Sequence, residues 1–270
     1  MTVVLAALSD THVNSYVGLT PPGQFKHGGG YHKPNSGQRY IARQFREYAN
    51  EVEAVAERFK APIVTIFNGD ACDMHPKTTA LITYNPGHML RMTVEAIKPL
   101  VDISRSLYFT VGTKSHTGWY EHKIAEDLQA IPKNADAGEW AWDSLKLNIE
   151  GYTIWAEHHA SMGRLFHTQR NAANTLAAHT ISDCGETGER KPNLVLASHQ
   201  HRWADSSDNY SVRALYLPAW QLPTGYIKRL KRNAIGQIGA WIAVIEDGAL
   251  VWEKKYRVRI APDRAVKVQL

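Results

Sequence analysis

At 270 residues the chain lies near the upper size of a single hydrophobic core, so one large domain over 1–270 is expected. Its 44% hydrophobic and 21% charged content fits a soluble globular protein, no run of about 18 apolar residues offers a membrane span, and a net charge of +5 favours anionic partners while falling well short of a histone-like chain. Two cysteines, Cys72 and Cys184, with no CxxC pair argue against a disulfide framework and a cysteine-rich zinc site, and suit a reducing, cytoplasmic setting.

Residues 3–8 (VVLAAL) follow no basic residue and stop at Ser9-Asp10, so they read as a first buried strand and not as a signal-peptide core. The stretch 18–37 (GLTPPGQFKHGGGYHKPNSG) reads as a long loop, either a lid or an idle insertion, with His27 and His32 facing solvent. From 38 to 60 the positions Ile41, Phe45, Tyr48, Val52, Val55 and Phe59 recur at helical spacing, and Pro62 ends the helix. IVTIF (63–67) is the next buried strand, 76–101 is mainly helical after Pro76, and SLYFTV (106–111) is a third strand. HKIAEDLQAI (122–131) is a helix stopped by Pro132, and SLKLNIEGYTIWAE (144–157) is a hairpin turning at Gly151. A helix is predicted over 162–182, a polar loop over DCGETGERKP (183–192) and a buried strand over NLVLAS (193–198). From Ser211 to Val268, β-type runs alternate with turns such as GQIG and EDG, with Trp220 expected in the core. Basic residues thicken late, at Lys228, Arg229, Lys231 and Arg232 and again at Lys254, Lys255, Arg257 and Arg259, and read as solvated surface or as steering for a phosphate-bearing substrate. Helices and strands alternate early and strands dominate late, which fits a layered α/β protein with a mixed sheet or two packed sheets.

Five of the apolar runs end on groups that bind metals or move protons: Asp10 and His12, then Asp70, His116, the pair His158 and His159, and finally His199 and His201. Six of the 13 histidines fall at these strand ends, where open α/β sheets put their active sites. His75, His88, His122, His167 and His179 read instead as satisfied, partly buried side chains. Two divalent ions about 3.5–4 Å apart need a shared carboxylate between them. Residues i and i+2 at a strand end share a face, so Asp10 with His12, and His199 with His201, can each reach one ion. Gly69 lets the chain turn and bring Asp70 to the centre. His158 or His159 supplies a further nitrogen. Imidazole with carboxylate suits manganese, iron, zinc or cobalt better than calcium, with manganese the first choice.

The ordered set DxH, NGD, GxxxH, HH and SHxH, spread over residues 3–203, resembles the calcineurin-like metallophosphoesterase family. The resemblance implies a four-layer α/β/β/α sandwich of two packed mixed sheets flanked by helices, with two metal ions at the strand ends. It further implies Asp10, His12 and His201 on the first ion, Asp70 as the bridge, and His158 and His199 on the second. That leaves His159 toward the substrate, and Asp73 of GDACD as a supporting carboxylate or a helix N-terminal acid. The chain departs from the family at the third motif. Where Gly-Asn-His is usual it has Gly112-Thr113-Lys114-Ser115-His116, so a neutral hydroxyl stands in for the amide and the histidine arrives two residues late. His116 is expected either as the proton donor to the leaving group, the first choice, or as the missing metal ligand, and the second metal position is expected to be weak or filled only in the presence of substrate.

This chemistry implies a metal-bridging hydroxide attacking phosphorus in line, with the charge on the phosphoryl oxygens stabilised by the ions. The expected substrate is a phosphodiester in a nucleic acid or nucleotide, with Trp119, Tyr120 and Trp203 either stacking on a base or packing in the core. The alternatives are a phosphomonoesterase, such as a Ser/Thr protein phosphatase, and a non-catalytic binding module of the same fold.

Overall fold

The computed structural model describes residues 1–23, 25–27, 30–74, 80–160, 171–223 and 237–260. His75, Pro76, His167, the cluster from Lys228 to Arg232, the start of the helix predicted at 162 and the side chain of His27 lie outside the described residues. In chain order the first half contains β1 (Thr2–Leu8), β2 (Phe25–His27), β3 (Gly30–His32), α1 (Ser36–Phe59), β4 (Ile63–Phe67), α2 (Pro86–Val101), β5 (Ser106–Phe109) and α3 (Tyr120–Asp127). The second half adds β6 (Leu145–Ile149), β7 (Tyr152–Ala156), α4 (Ala172–Thr187), β8 (Leu194–Ala197), β9 (Ala204–Asp205), β10 (Arg213–Tyr216), β11 (Ile238–Glu246) and β12 (Ala249–Val258).

Two five-stranded mixed sheets result, ordered β12-β11-β1-β4-β5 and β6-β7-β8-β10-β9. In the first, β1, β4 and β5 run parallel while β11 pairs antiparallel with both β1 and β12. In the second, β7, β8 and β10 run parallel between antiparallel edges. A strand buried on both faces needs an unbroken apolar run, which is why VVLAAL shows no polar alternation. Val4, Ala6 and Leu8 of β1 pack with Phe45 and Val52 of α1 and Met92 and Ile97 of α2. Val3, Leu5 and Ala7 face Ile154, Leu194 and Leu215 of the second sheet. On that sheet's far side Val195 and Tyr216 meet Ala173 and Ala177 of α4. The layers are therefore helix, sheet, sheet, helix, as the family resemblance implies.

Local chemistry moves several predicted boundaries. The helix expected after Pro76 begins at Pro86, where the Asn85 side chain accepts from the His88 amide. A residue before proline is pushed out of the helical region, and Thr83 is tied to Asn14 at 2.9 Å. The polar loop expected at 183–192 is helical as far as Thr187: Cys184 is buried, and α4 ends only at Gly188. Within 18–37, β2 and β3 form a small hairpin, Leu19 and Phe25 are buried, and Asn35 caps α1. His32 is not solvent-facing as expected but buried, with Nε2 3.0 Å from Gln38 Oε1. His179 in turn is exposed, not partly buried. Trp220 lies in the core against Phe45. Of the late basic residues, Lys254 pairs with Glu51 and Lys255 with Asp205.

Candidate metal centre

The strands stop before the candidate ligands begin. β1 ends at Leu8, β4 at Phe67, β5 at Phe109, β7 at Ala156 and β8 at Ala197, so the ligands stand on loops at the carboxyl ends of parallel strands. Spacing of i, i+2 predicted a shared strand face. The backbone instead turns through the left-handed region, with φ of 54° at Asp10, 43° at His12, 54° at Asp70, 70° at His199 and 53° at His201. Aspartate and histidine tolerate that region better than branched residues, but a cluster of such residues marks stored strain. Backbone bonds continue the β1–β4 ladder beneath them: Asp10 N donates to Gly69 O at 3.0 Å and His12 N to Asp70 O at 3.2 Å. Gly69 has φ of 79°, and a Cβ on it would lie 2.7 Å from Cγ of His158, so the histidine ring packs directly on bare backbone.

Two ion-sized groups share Asp10. One is Asp10, His12 and His201; the other is Asp10, Asp70, His158 and His199; within each the ligand atoms lie within 4.8 Å of one another. Asp10 Oδ1 is 3.2 Å from His201 Nε2, 3.6 Å from His12 Nε2 and 4.0 Å from His158 Nε2. It is buried and accepts no hydrogen bond. Its partner oxygen Oδ2 accepts from the Ser9 hydroxyl and from the His199 amide. A buried, unpaired carboxylate oxygen is unfavourable, and one that faces three imidazole nitrogens is satisfied by a cation. The histidines are oriented for the same purpose. His158 Nδ1 donates to the Asn68 carbonyl at 2.7 Å, which fixes the tautomer and leaves Nε2 for a ligand, 3.0 Å from Asp70 Oδ2. His12 Nδ1 is held by Asp73 Oδ1 at 2.9 Å, and its Nε2 lies 3.1 Å from His201 Nε2. Hydrogen bonding of the far ring nitrogen is how ligating histidines are held. The donor set, mixed imidazole and carboxylate, fits manganese, iron, cobalt or zinc.

Charge follows the same plan. Burial pushes the Asp10 carboxyl up, but the charges of His158 and His201 outweigh it and hold the group well below the usual carboxylate range. Asp70 is lowered against burial by His158 and His199, and Asp73 by His12 and His116. In return, Asp73 and Asp10 raise His12 despite its burial, and Asp10 and Asp70 raise His158 to about 9. The acids and the two imidazoles thus favour each other's charged forms.

The remaining predicted residues lie around this floor. His116 stands at the partly exposed mouth, Nδ1 2.7 Å from Asp73 Oδ1 and its ring 4.7 Å from that of His12. Asp73 joins both histidines through one oxygen. His159 is exposed, its ring 4.9 Å from that of His158 and 4.7 Å from that of His199. Asp70 enters only the second group among the described residues, while Asp10 is common to both. Thr113 occupies the centre of that second group. Its amide donates to Asp70 Oδ1 at 2.6 Å, its hydroxyl donates to Asp70 Oδ2 at 3.0 Å, and the hydroxyl lies 3.1 Å from His199 Nδ1. Among the aromatics, Trp119 is 69% exposed, while Tyr120 and Trp203 pack against the two cores.

Sequence reasoning missed two residues. Asn68 ties strand ends together: Nδ2 donates to Glu157 O at 3.0 Å and Ser198 Oγ at 2.6 Å, and Oδ1 accepts from Thr110 at 2.8 Å. Glu121 is fully buried behind Asp70, and burial, with the Asp70 charge next, pushes its carboxyl up to about 8. Its helical spacing to the buried Ile124 and Leu128 hints at burial, but nothing local in the sequence gives its partners.

No family model matches the sequence, and no curated protein matches it. Solved structures similar to the chain include the following three. Protein PH1004 of Pyrococcus horikoshii, described as hypothetical, is 13% identical with a TM-score of 0.47, covering 96% of this chain and 89% of its own. Vps29 of Entamoeba histolytica, complexed with zinc, is 11% identical at 0.45, covering 94% and 98%. Yfce, a phosphoesterase of E. coli, is 11% identical at 0.41, covering 94% and 99%. Scores at this level leave the chemistry to be argued from the side chains. The chain resembles the calcineurin-like metallophosphoesterases in layer order and in the convergence of all five motifs on one centre.

Proposed function

We propose that the chain is a two-metal phosphodiesterase whose substrates are nucleotides or nucleic acids. One observation carries the reading: the buried Asp10 Oδ1, without a hydrogen-bond partner, faces imidazoles of both ligand groups. Two divalent cations, manganese first, would supply Lewis acidity and a water of lowered pKa there. Asp10, His12 and His201 would hold one ion, and Asp70, His158 and His199 the other, with a carboxylate between them. His116 would donate a proton to the departing oxygen. Asp73 holds its Nδ1, which leaves Nε2 for that task. His159, exposed beside His199, would meet the phosphate. Support for an aromatic, anionic substrate comes from the exposed Trp119, three residues beyond His116, and from the net charge of +5. We take residues 1–270 as one catalytic unit because β11 joins β1 in the sheet that carries the first motif. A cytoplasmic setting accords with two buried, unpaired cysteines, and no helix among the described residues is long and apolar enough to cross a membrane.

The test is manganese-dependent hydrolysis of a chromogenic phosphodiester beside its monoester, in wild type and in Asp70→Asn. Diester cleavage that disappears in the variant is the expected result. Turnover of the monoester alone would make the protein a phosphatase. Bound metal with no turnover of either, or of nucleotide and nucleic-acid diesters, would leave a binding module.

A further inference from the structure

Glu121 belongs to none of the ion-sized groups among the described residues, yet it is fully buried. Both of its carboxylate oxygens are used. Oε1 accepts from the Ala71 amide at 2.9 Å and Oε2 from the Gly112 amide. These two amides belong to different loops. Ala71 directly follows Asp70 on the loop after β4, and Gly112 directly precedes Thr113 on the loop after β5. The two loops meet again in front, where the Thr113 amide and hydroxyl hold the two oxygens of Asp70. Gly112 makes the approach feasible: a Cβ there would strike the Asp70 amide and carboxylate and come within 2.9 Å of Glu121 Oε2.

We infer that Glu121 is a positioning residue: its carboxyl group clamps the Asp70 and Thr113 loops together and so sets the geometry of the second metal position without touching the metal. This rests on the two-metal reading above. The first position is reached less directly: Ala71 O accepts from the Val13 amide and the Thr11 hydroxyl on either side of His12, whereas Ala71 and Gly112 are themselves the chain neighbours of Asp70 and Thr113 at the second. A glutamate is required, since two backbone N–H groups must be accepted at once and both oxygens of its carboxyl group, ionised or protonated, keep acceptor capacity. Glutamine of equal size can accept one of them through its carbonyl, but its NH2 then faces the other donor. The third motif, altered at Thr113, thereby gains support from behind.

The experiment is manganese titration of metal-free wild type, Glu121→Gln and Glu121→Ala, followed calorimetrically, with thermal melts of the metal-free proteins alongside. Wild type should bind two ions. Glu121→Gln should bind the first with affinity unchanged within about 2-fold and the second about 10- to 100-fold more weakly, the range that outer-shell partners of metal ligands command. A purely structural role would lower the melting temperature of the metal-free protein and leave the ratio of the two affinities as in wild type; that result overturns the inference. If Glu121→Ala does not fold, Glu121→Gln decides alone. Wild type that takes up fewer than two ions overturns the two-metal reading and this inference with it. Two ions bound equally well by wild type and Glu121→Gln overturn the inference only.

Discussion

Gly69→Ala separates backbone strain from side-chain packing at the centre. Gly69 has φ of 79° and Gly188, at the end of α4, has φ of 72°. An alanine in the left-handed region costs roughly 1–2 kcal/mol at either position. The surroundings differ: a Cβ at Gly188 meets nothing within 4 Å, whereas at Gly69 it would lie 2.7 Å from His158 Cγ and 2.8 Å from Gly112 Cα. Neither neighbour can yield. The His158 ring is anchored on Asn68 O at 2.7 Å, and Gly112 is held by Glu121. Overpacking of this kind adds about 1–3 kcal/mol. Gly69→Ala should therefore destabilise by about 2–5 kcal/mol against about 1–2 for Gly188→Ala, measured as the shift in urea midpoint of the metal-free proteins. It should also weaken manganese binding, which Gly188→Ala should leave intact. Equal destabilisation by the two substitutions would refute the packing of the His158 ring on the bare backbone of Gly69.

Three further outcomes follow from other parts of the structure. His116→Gln should lower turnover of an alkyl diester by about 10²–10⁴-fold and of a nitrophenyl diester far less, with metal content unchanged; equal losses on both would end its role as proton donor. Trp119→Ala should raise KM for a dinucleotide, consistent with about 1–3 kcal/mol per stacked base, and spare a small alkyl diester; no change on the dinucleotide would return Trp119 to the status of an ordinary exposed side chain. Asp205 is pushed up by burial but held well below its usual range by Arg213 and Lys255. A carboxyl with a lowered folded pKa contributes stability above its unfolded pKa of about 3.9 and loses it as pH falls toward the folded value. Asp205→Asn should thus cost about 3 kcal/mol at pH 7, and the gap from wild type should narrow below about pH 4. A gap independent of pH would show that the loss comes from packing alone.

Much of this arrangement was legible in the chain because the core is written in continuous runs. VVLAAL, IVTIF and LVLA are buried on both faces, and a residue that binds metal at the end of such a run stands out against it. What spacing could not tell was how the chain turns after the strand. The i, i+2 relation of Asp10 and His12 brought them to one centre, but through left-handed residues and not through a shared pleat. Helix boundaries failed where a side chain from a distant segment decided them. Residues 82–83 are held out of α2 by Asn14, which lies 68 or more positions earlier and carries no local signal. Glu121 went unread for a related reason. A buried acid on an apolar stripe resembles an ordinary surface break in a short helix, and only the fold brings the amides of Ala71 and Gly112 to it.

The centre combines features that are each unfavourable in the chain alone. Five residues adopt left-handed backbone, Asp10 Oδ1 is buried without a hydrogen bond, and Nε2 of His12 and of His201 face each other at 3.1 Å. None of these is relieved by repacking, because the parallel strands below are fixed by two cores and the loops above by Asn68 and Glu121. A rigid frame around mutually repelling groups has one economical solution, which is positive charge between them. Protons on His12 and His158 provide it in part, since the same acids that would bind a metal raise both imidazoles. Metal uptake must displace those protons, so measured affinity should rise with pH, through about 9 for the His158 proton. The strain that a left-handed backbone introduces is thus tied, through the frame, to whatever cation the centre takes up. A substitution that loosens the frame at Asn68 or Glu121 should relax the loops and weaken the metal together.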